Sequence, residues 1–287
     1  MEDGLRASNA HLKLRAILVA AISFFGLCAD GEPITPRETI QLFNGVNFNG
    51  LYTWLKGTKR GDPTRVFRIT NGMIWTTPSL GYLATEREYQ NYDLRVEFKW
   101  GERTSSWREG KARDSGIFLH ATGPDGNSHD GDGAFMAGIE CNLFQGATGD
   151  ILLIRGNDAK GKLIAPRITA FVSEDKDAEG WPWCRSSGRS ETIERWGRLN
   201  WLNKSPAWKD ELDFRGPHDV ERPYGEWNEV KCICDGKTIR IELNGQLVNM
   251  AWYAWPESGK ILLQCEGSEI FFRKFELRPL PPGSKKK

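Results

Sequence analysis

Apolar and polar residues alternate with a period of two through most of the chain. In DLRVEFKW (93–100), Leu94, Val96, Phe98 and Trp100 fall on one face, and Arg95, Glu97 and Lys99 on the other. That is the signature of a half-buried strand. SGIFLHA (115–121), GIECNLF (138–144), ILLIRG (151–156), KILLQCEG (260–267) and EIFFRKFELRP (269–279) read the same way. VFRIT and MIWTT flank Asn71-Gly72, and EVKCICDGKTIRIELNGQLVNMA (229–251) contains Asp235-Gly236 and Asn244-Gly245. Such dipeptides between alternating runs predict tight hairpins. Apart from the short TEREY run (85–89), no stretch carries a helical period. The pattern predicts an all-β sandwich of two antiparallel sheets.

One stretch breaks the pattern. Residues 157–223 are rich in Gly, Pro, Trp and charge, as in EDKDAEGWPWCRSSGRS. They read as a long irregular insertion over one face of the sandwich, and long loops of this kind are usually functional or disordered. Trp181, Trp183, Trp196, Trp201 and Trp208 argue against disorder, because that much aromatic surface requires burial.

The ends carry different signals. Lys13 and Arg15 precede a 13-residue apolar run, Ala16–Cys28, followed by polar ADGEP. This matches a secretory signal peptide over 1–29 and is too short to span a bilayer. Export to the periplasm or the extracellular space is the expectation. Lipidation of Cys28 is disfavoured by the bulk of Leu27. A basic tail occupies 282–287, which leaves 38–281 as a single domain.

The 287 residues hold 39 basic and 38 acidic side chains; without leader and tail, 33 and 36 remain. A near-neutral body lacks the electrostatic footprint of a nucleic-acid binder. No later stretch is long and apolar enough to cross a membrane. Removal of Cys28 leaves five cysteines, an odd number. Cys232 and Cys234 share one strand face and cannot readily bond each other. Buried core thiols are expected. The chain bears no zinc spacing, nucleophile elbow, phosphate loop or dinucleotide fingerprint. Asp125, Asn127, Asp130 and Asp132 have a spacing that suits calcium but lack its terminal Glu, so a polar turn is favoured.

Alternation also sorts chemistry by face. Gly116, Phe118 and His120 point away from the core, as do Glu140, Asn142 and Phe144, and Gln264 and Glu266. If these three strands are neighbours, two carboxylates, an imidazole and two amides line one polar cleft. Paired carboxylates suit sugar chemistry, one donating a proton while the other accepts one. The same pattern also describes an ordinary solvated sheet face.

LFNGVNFNGLYTW (42–54), GYLATEREYQNYDLRVEFKW (81–100), DSGIFLH (114–120) and AGIECNLFQG (137–146) resemble, in order, the blocks of the 3-keto-disaccharide hydrolase domain family. GEWNEVKCICDGKTIRIELNGQLVN (225–249) and GKILLQCEGSEIFFRKFELRPL (259–280) continue the resemblance. It implies a concanavalin-like jelly roll and hydrolysis of glycosides whose sugar is oxidised at C3. By position, Glu97, Glu140, Asn142, Gln264, Glu266 and Arg273 match the family's blocks; with the face pattern, Glu140, Glu266 and His120 are taken as catalytic, and Glu97, Asn142, Gln264 and Arg273 as substrate-binding. His120 stands where many members carry Arg, and Asn142 where Gln is usual. The insertion is longer than a minimal member needs.

A 3-keto group acidifies the C2 hydrogen, so a base can remove it and expel the C1 oxygen, after which water adds back. This needs a base, an acid and donors for the enolate. The sequence reading makes Glu140 the base and Glu266 or His120 the acid, with a carbohydrate substrate as partner. It calls for no cofactor; a divalent metal held by Glu and His is the alternative source of enolate stabilisation, and oligomeric state stays open. The rival class is a non-catalytic carbohydrate-binding module. A laminarinase-type glucanase would need an E-x-D-x-x-E run, which the strands lack.

Overall fold

The computed structural model describes residues 31–128 and 133–281. The expected leader, Cys28, the tail, His129, Asp130 and Asp132 lie outside the described residues.

In chain order the strands begin with β1 (Ile40–Gln41), β2 (Leu51–Leu55), β3 (Phe67–Thr70), β4 (Met73–Thr76), β5 (Leu80–Thr85), β6 (Tyr92–Thr104) and β7 (Asp114–Thr122). They continue with β8 (Ala137–Phe144), β9 (Ile151–Ile154), β10 (Gly156–Asn157), β11 (Leu163–Ile164), β12 (Arg167–Lys176), β13 (Pro182–Cys184) and β14 (Arg189–Glu194). The last are β15 (Gly197–Leu199), β16 (Asn228–Asp235), β17 (Thr238–Leu243), β18 (Gln246–Trp255), β19 (Lys260–Glu266) and β20 (Ser268–Arg278). Among the described residues the helical content is one 3-10 turn, Ser106–Arg108, so TEREY is not helical.

Two large antiparallel sheets form, with β10 and β11 as a separate two-stranded ribbon. The larger runs β13-β12-β18-β17-β16-β6-β20-β4-β3, with β1 beside β20 and β14 beside β12; the smaller runs β15-β9-β8-β7-β19-β5-β2. The hairpins fall where the dipeptides placed them. Asn71 and Gly72 take φ of 49° and 73°, and Asn244 and Gly245 51° and 79°, the left-handed pair that matches strand twist.

Between the sheets lies one continuous apolar cluster, including Leu94, Val96, Phe98, Ile117, Leu119, Ile139, Leu263 and Phe272, all fully buried. Every inward position read from alternation is in it. The cysteines Cys141, Cys184, Cys232, Cys234 and Cys265 are buried and unbridged.

The irregular-insertion reading is corrected over its first half. β12, β13 and β14 extend the larger sheet, and β15 adds an edge to the smaller one. Ile168, Ala170, Val172 and Leu199 enter the main core. Residues 200–227 carry no strand. That segment is tied down by a buried ion pair: Lys204 Nζ donates to Asp150 at 2.9 Å and to Asn200 Oδ1 at 2.7 Å, while the Trp201 N–H donates to Asp150 at 2.8 Å.

Candidate active site

In the smaller sheet β8, β7 and β19 are neighbours. Their register sets Asn142 opposite Gly116, Glu140 opposite Phe118, and Leu262 opposite Phe118 on the other side. Side chains alternate across each strand, so Glu140, Asn142, Gln264 and Glu266 share the face turned away from the core. Gly116 is the floor between them. A Cβ added there would lie 2.3 Å from Glu140 Oε1 and 2.8 Å from Gln264 Oε1. The Gly116 backbone has no left-handed φ, so the glycine serves space rather than conformation.

Burial controls the chemistry. Glu140, Asn142 and Gln264 are 3%, 2% and 1% exposed. The amide oxygens of Asn142 and Gln264 have no hydrogen-bond partner. A buried acceptor without a donor is a feature native folds rarely tolerate without a purpose. Burial, and then the charge of Glu266, holds the Glu140 carboxyl well above the ordinary range. Burial raises Glu266 to about 7, opposed by Arg108, a Gln264 hydrogen bond and Arg198. Arg108, Arg198 and a Gln264 hydrogen bond favour the Glu266 anion, whereas Arg198 alone does so at Glu140, and repulsion between the two carboxylates opposes charge on both at once.

Three predicted residues do not join this group. His120 sits at a β-bulge, between Leu119 and Thr122, with φ 55°. The extra residue turns its ring from the cleft face onto Tyr92, edge to face at 5.6 Å. Nδ1 donates to the Pro256 carbonyl at 2.8 Å, and burial lowers the imidazole to about 4. Glu97 and Arg273 pair with each other on β6 and β20 of the other sheet, with Lys274 2.6 Å from Glu97. Both face outward from that sheet, across the sandwich core from Glu140.

The site holds residues the sequence reading did not single out. Asp114 is on the same strand and face as Gly116, 3.7 Å from Arg108. Burial raises it well above the carboxylate range, with Glu266 adding to the effect and Arg108 opposing it. The signal was available: Asp114 is two residues before Gly116, hence on its face. Arg198, on β15, is set two strands from Glu140 through Leu152. Arg108 has no positional signal, because it reaches the site from the 3-10 turn.

The other half of this face is apolar. Tyr82, Phe118 and Leu262 are covered by Ala134, Phe135 and Met136. Asp125 anchors the preceding loop, accepting from Tyr52 at 2.6 Å, Tyr82 at 2.8 Å and Arg60 at 3.0 Å. Asn127 donates to the Thr122 and Asn157 carbonyls and accepts from the Ala137 N–H. Both calcium-spaced side chains that the structure describes are thus committed to the fold. Among the described residues no three His, Cys, Asp or Glu side chains come together as a metal site.

The sequence profile of a 3-keto-alpha-glucoside-1,2-lyase-like domain matches residues 38–278. No curated protein matches the chain. Among solved structures, a candidate glycosyl hydrolase from Parabacteroides distasonis aligns at 14% identity over 85% of this chain and 94% of its own, with a TM-score of 0.48. A Bacillus licheniformis beta-glucanase aligns at 12% identity over 85% and 99%, with a TM-score of 0.43. A carbohydrate-binding module from Bacillus subtilis aligns at 10% over 79% and 94%, with a TM-score of 0.42. The architecture is the all-β sandwich of two large antiparallel sheets that the alternation predicts.

Proposed function

The chain belongs to the 3-keto-alpha-glucoside-1,2-lyase-like domain family and is carbohydrate-active, and from that premise we propose that it cleaves 3-keto-glycosides by elimination at Glu140 and Glu266. The observation that carries the reading is the convergence of Glu140 and Gln264 over side-chain-free Gly116, with Glu266 next to Gln264 on the same face. A sugar ring seated on that floor meets two buried carboxyl groups, both held above the ordinary carboxylate range.

The steps divide between the two carboxyls. Glu266, whose anion Arg108 and Arg198 favour, takes the C2 proton, and the electron pair delocalises into the C3 ketone. The enolate then forms the C1–C2 double bond and expels the C1 oxygen. Glu140, held protonated by burial, donates its proton to that oxygen, and the alcohol leaves. Water adds to C1 as C2 regains a proton, which gives the free 3-keto sugar. General acid–base groups with pKa values near the working pH are the effective ones. This reverses the roles read from sequence, where Glu140 was the base.

Asn142 and Gln264 supply acceptors for sugar hydroxyls. Arg108 and Arg198 supply positive charge toward the developing enolate, since both already lower Glu266. His120, Glu97 and Arg273 take no part in these steps. The roles are separated by hydrogen exchange at C2 in heavy water with a 3-keto-glycoside. Glu140→Gln retains exchange while losing cleavage, and Glu266→Gln loses both. Exchange that persists in Glu266→Gln would remove it as the base.

A further inference from the structure

This sheet face does not end at Glu140. Its neighbour in the ladder is Leu152 on β9, and the next is Arg198 on β15. There the face opens into a small cleft of about 150 Å³ lined by Leu152, Ile154, Trp181, Trp196 and Arg198. Three of these come from the 157–223 stretch, which therefore contributes directly to the surroundings of the carboxylates.

The two indoles are firmly placed. The turn before Trp181 closes on Asp177, whose carboxylate accepts the Glu179 and Trp181 N–H groups at 3.0 and 2.8 Å and the Asn200 amide at 2.8 Å. The Trp181 carbonyl accepts from the Asp177 N–H at 2.9 Å. Trp196 packs against the apolar cluster that contains Phe118 and Leu262, and Arg155 lies 5.7 Å from its ring centre. Arg198 is held by Asp150 at 3.7 Å and Glu179 at 3.5 Å.

The chemistry of the lining selects its ligand. Leucine and isoleucine offer no hydrogen bond, and tryptophan and arginine side chains only donate. A second sugar's hydroxyl oxygens can accept from the indole and guanidinium N–H groups, but its hydroxyl hydrogens meet no acceptor among the lining side chains, and each one buried there unpaired costs about 1–3 kcal/mol. A flat apolar ring meets no such penalty and gains from indole contact. The volume suits one ring.

We infer that Trp181 and Trp196 form an aglycone subsite beside Glu140 that selects 3-keto-glycosides carrying an apolar ring over those carrying a second sugar. The inference rests on the proposed cleavage reaction and adds the leaving group it prefers. The test compares the 3-keto derivatives of benzyl α-glucoside, methyl α-glucoside and trehalose. Benzyl and methyl alcohols are leaving groups of similar acidity, so their ratio reads the subsite rather than intrinsic reactivity. The wild-type chain is expected to show kcat/KM at least ~10-fold higher for the benzyl than for the methyl compound, about 1.4 kcal/mol of discrimination. The benzyl compound should also exceed the trehalose derivative. Trp181→Ala and Trp196→Ala should each bring the benzyl-to-methyl ratio toward one. A sample that is only partly folded scales both rates alike and leaves the ratio intact. Equal wild-type rates for all three compounds, or a ratio that survives both substitutions, would overturn the subsite. Failure to cleave any of the three would instead overturn the reaction on which it rests.

Discussion

The Gly116 Cα and the Glu140 carboxylate are so close that a Cβ on residue 116 would stand 2.3 Å from Glu140 Oε1. The floor of the site is therefore made by a missing side chain. Gly116→Ala keeps an allowed strand backbone but forces Glu140 and Gln264 aside. Displacements near 1 Å in a positioned site cost about 100-fold in rate. Assayed on a 3-keto-glycoside, the variant is expected to lose about that much kcat while its circular dichroism spectrum matches wild type. Full activity in Gly116→Ala would show that the floor is not where the sugar sits.

Glu266 must be ionised to act as base, and burial raises it to about 7. The profile of kcat/KM against pH should rise to near pH 7 and fall again as Glu140 loses its proton. A profile already flat from pH 5 would place the base elsewhere.

The same raised values act on stability. From the ordinary 4.5 up to about 7, folded Glu266 holds a proton that the unfolded chain releases. The unfolded state then binds fewer protons, so stability falls as pH rises through that window. A shift of this size amounts to about 3–4 kcal/mol at most, on the order of 1.4 kcal/mol per unit. Thermal unfolding of Glu266→Gln should vary less between pH 5 and pH 8 than wild type and exceed it at pH 8.

Lys204 is the buried counter-charge to Asp150, and their side chains are 3% and 0% exposed. Lys204→Met leaves Asp150 without its closest cation, which for buried pairs costs about 3–5 kcal/mol. Urea unfolding should report that loss. Adding Asp150→Asn should recover much of it, because an amide oxygen still accepts the Trp201 N–H.

Alternation alone located Glu140, Asn142, Gln264 and Glu266 on one face, because the pleat fixes the side of every second residue. It failed at His120 because one inserted residue reverses the sides beyond it, and nothing in SGIFLHA marks the bulge. Glu97 and Arg273 expose a different limit. Each points away from the core, as Glu140 does, but from the opposite sheet. Alternation separates inward from outward; it does not identify the sheet. β12 escaped notice because the outward-facing Phe171 breaks the alternation of its inward Ile168, Ala170 and Val172, and its flank is charged. Arg108 and Arg198 reach the site through tertiary packing, which no local pattern encodes.

The most direct test of the account incubates the purified chain with a 3-keto-disaccharide and with its unoxidised parent, following release of the free sugars. The elimination route requires the C3 carbonyl, so the keto form alone should be cleaved, and Glu140→Gln should abolish it. Cleavage of the parent at a comparable rate would contradict elimination. Binding of the keto form without turnover would make the domain a carbohydrate-binding module instead.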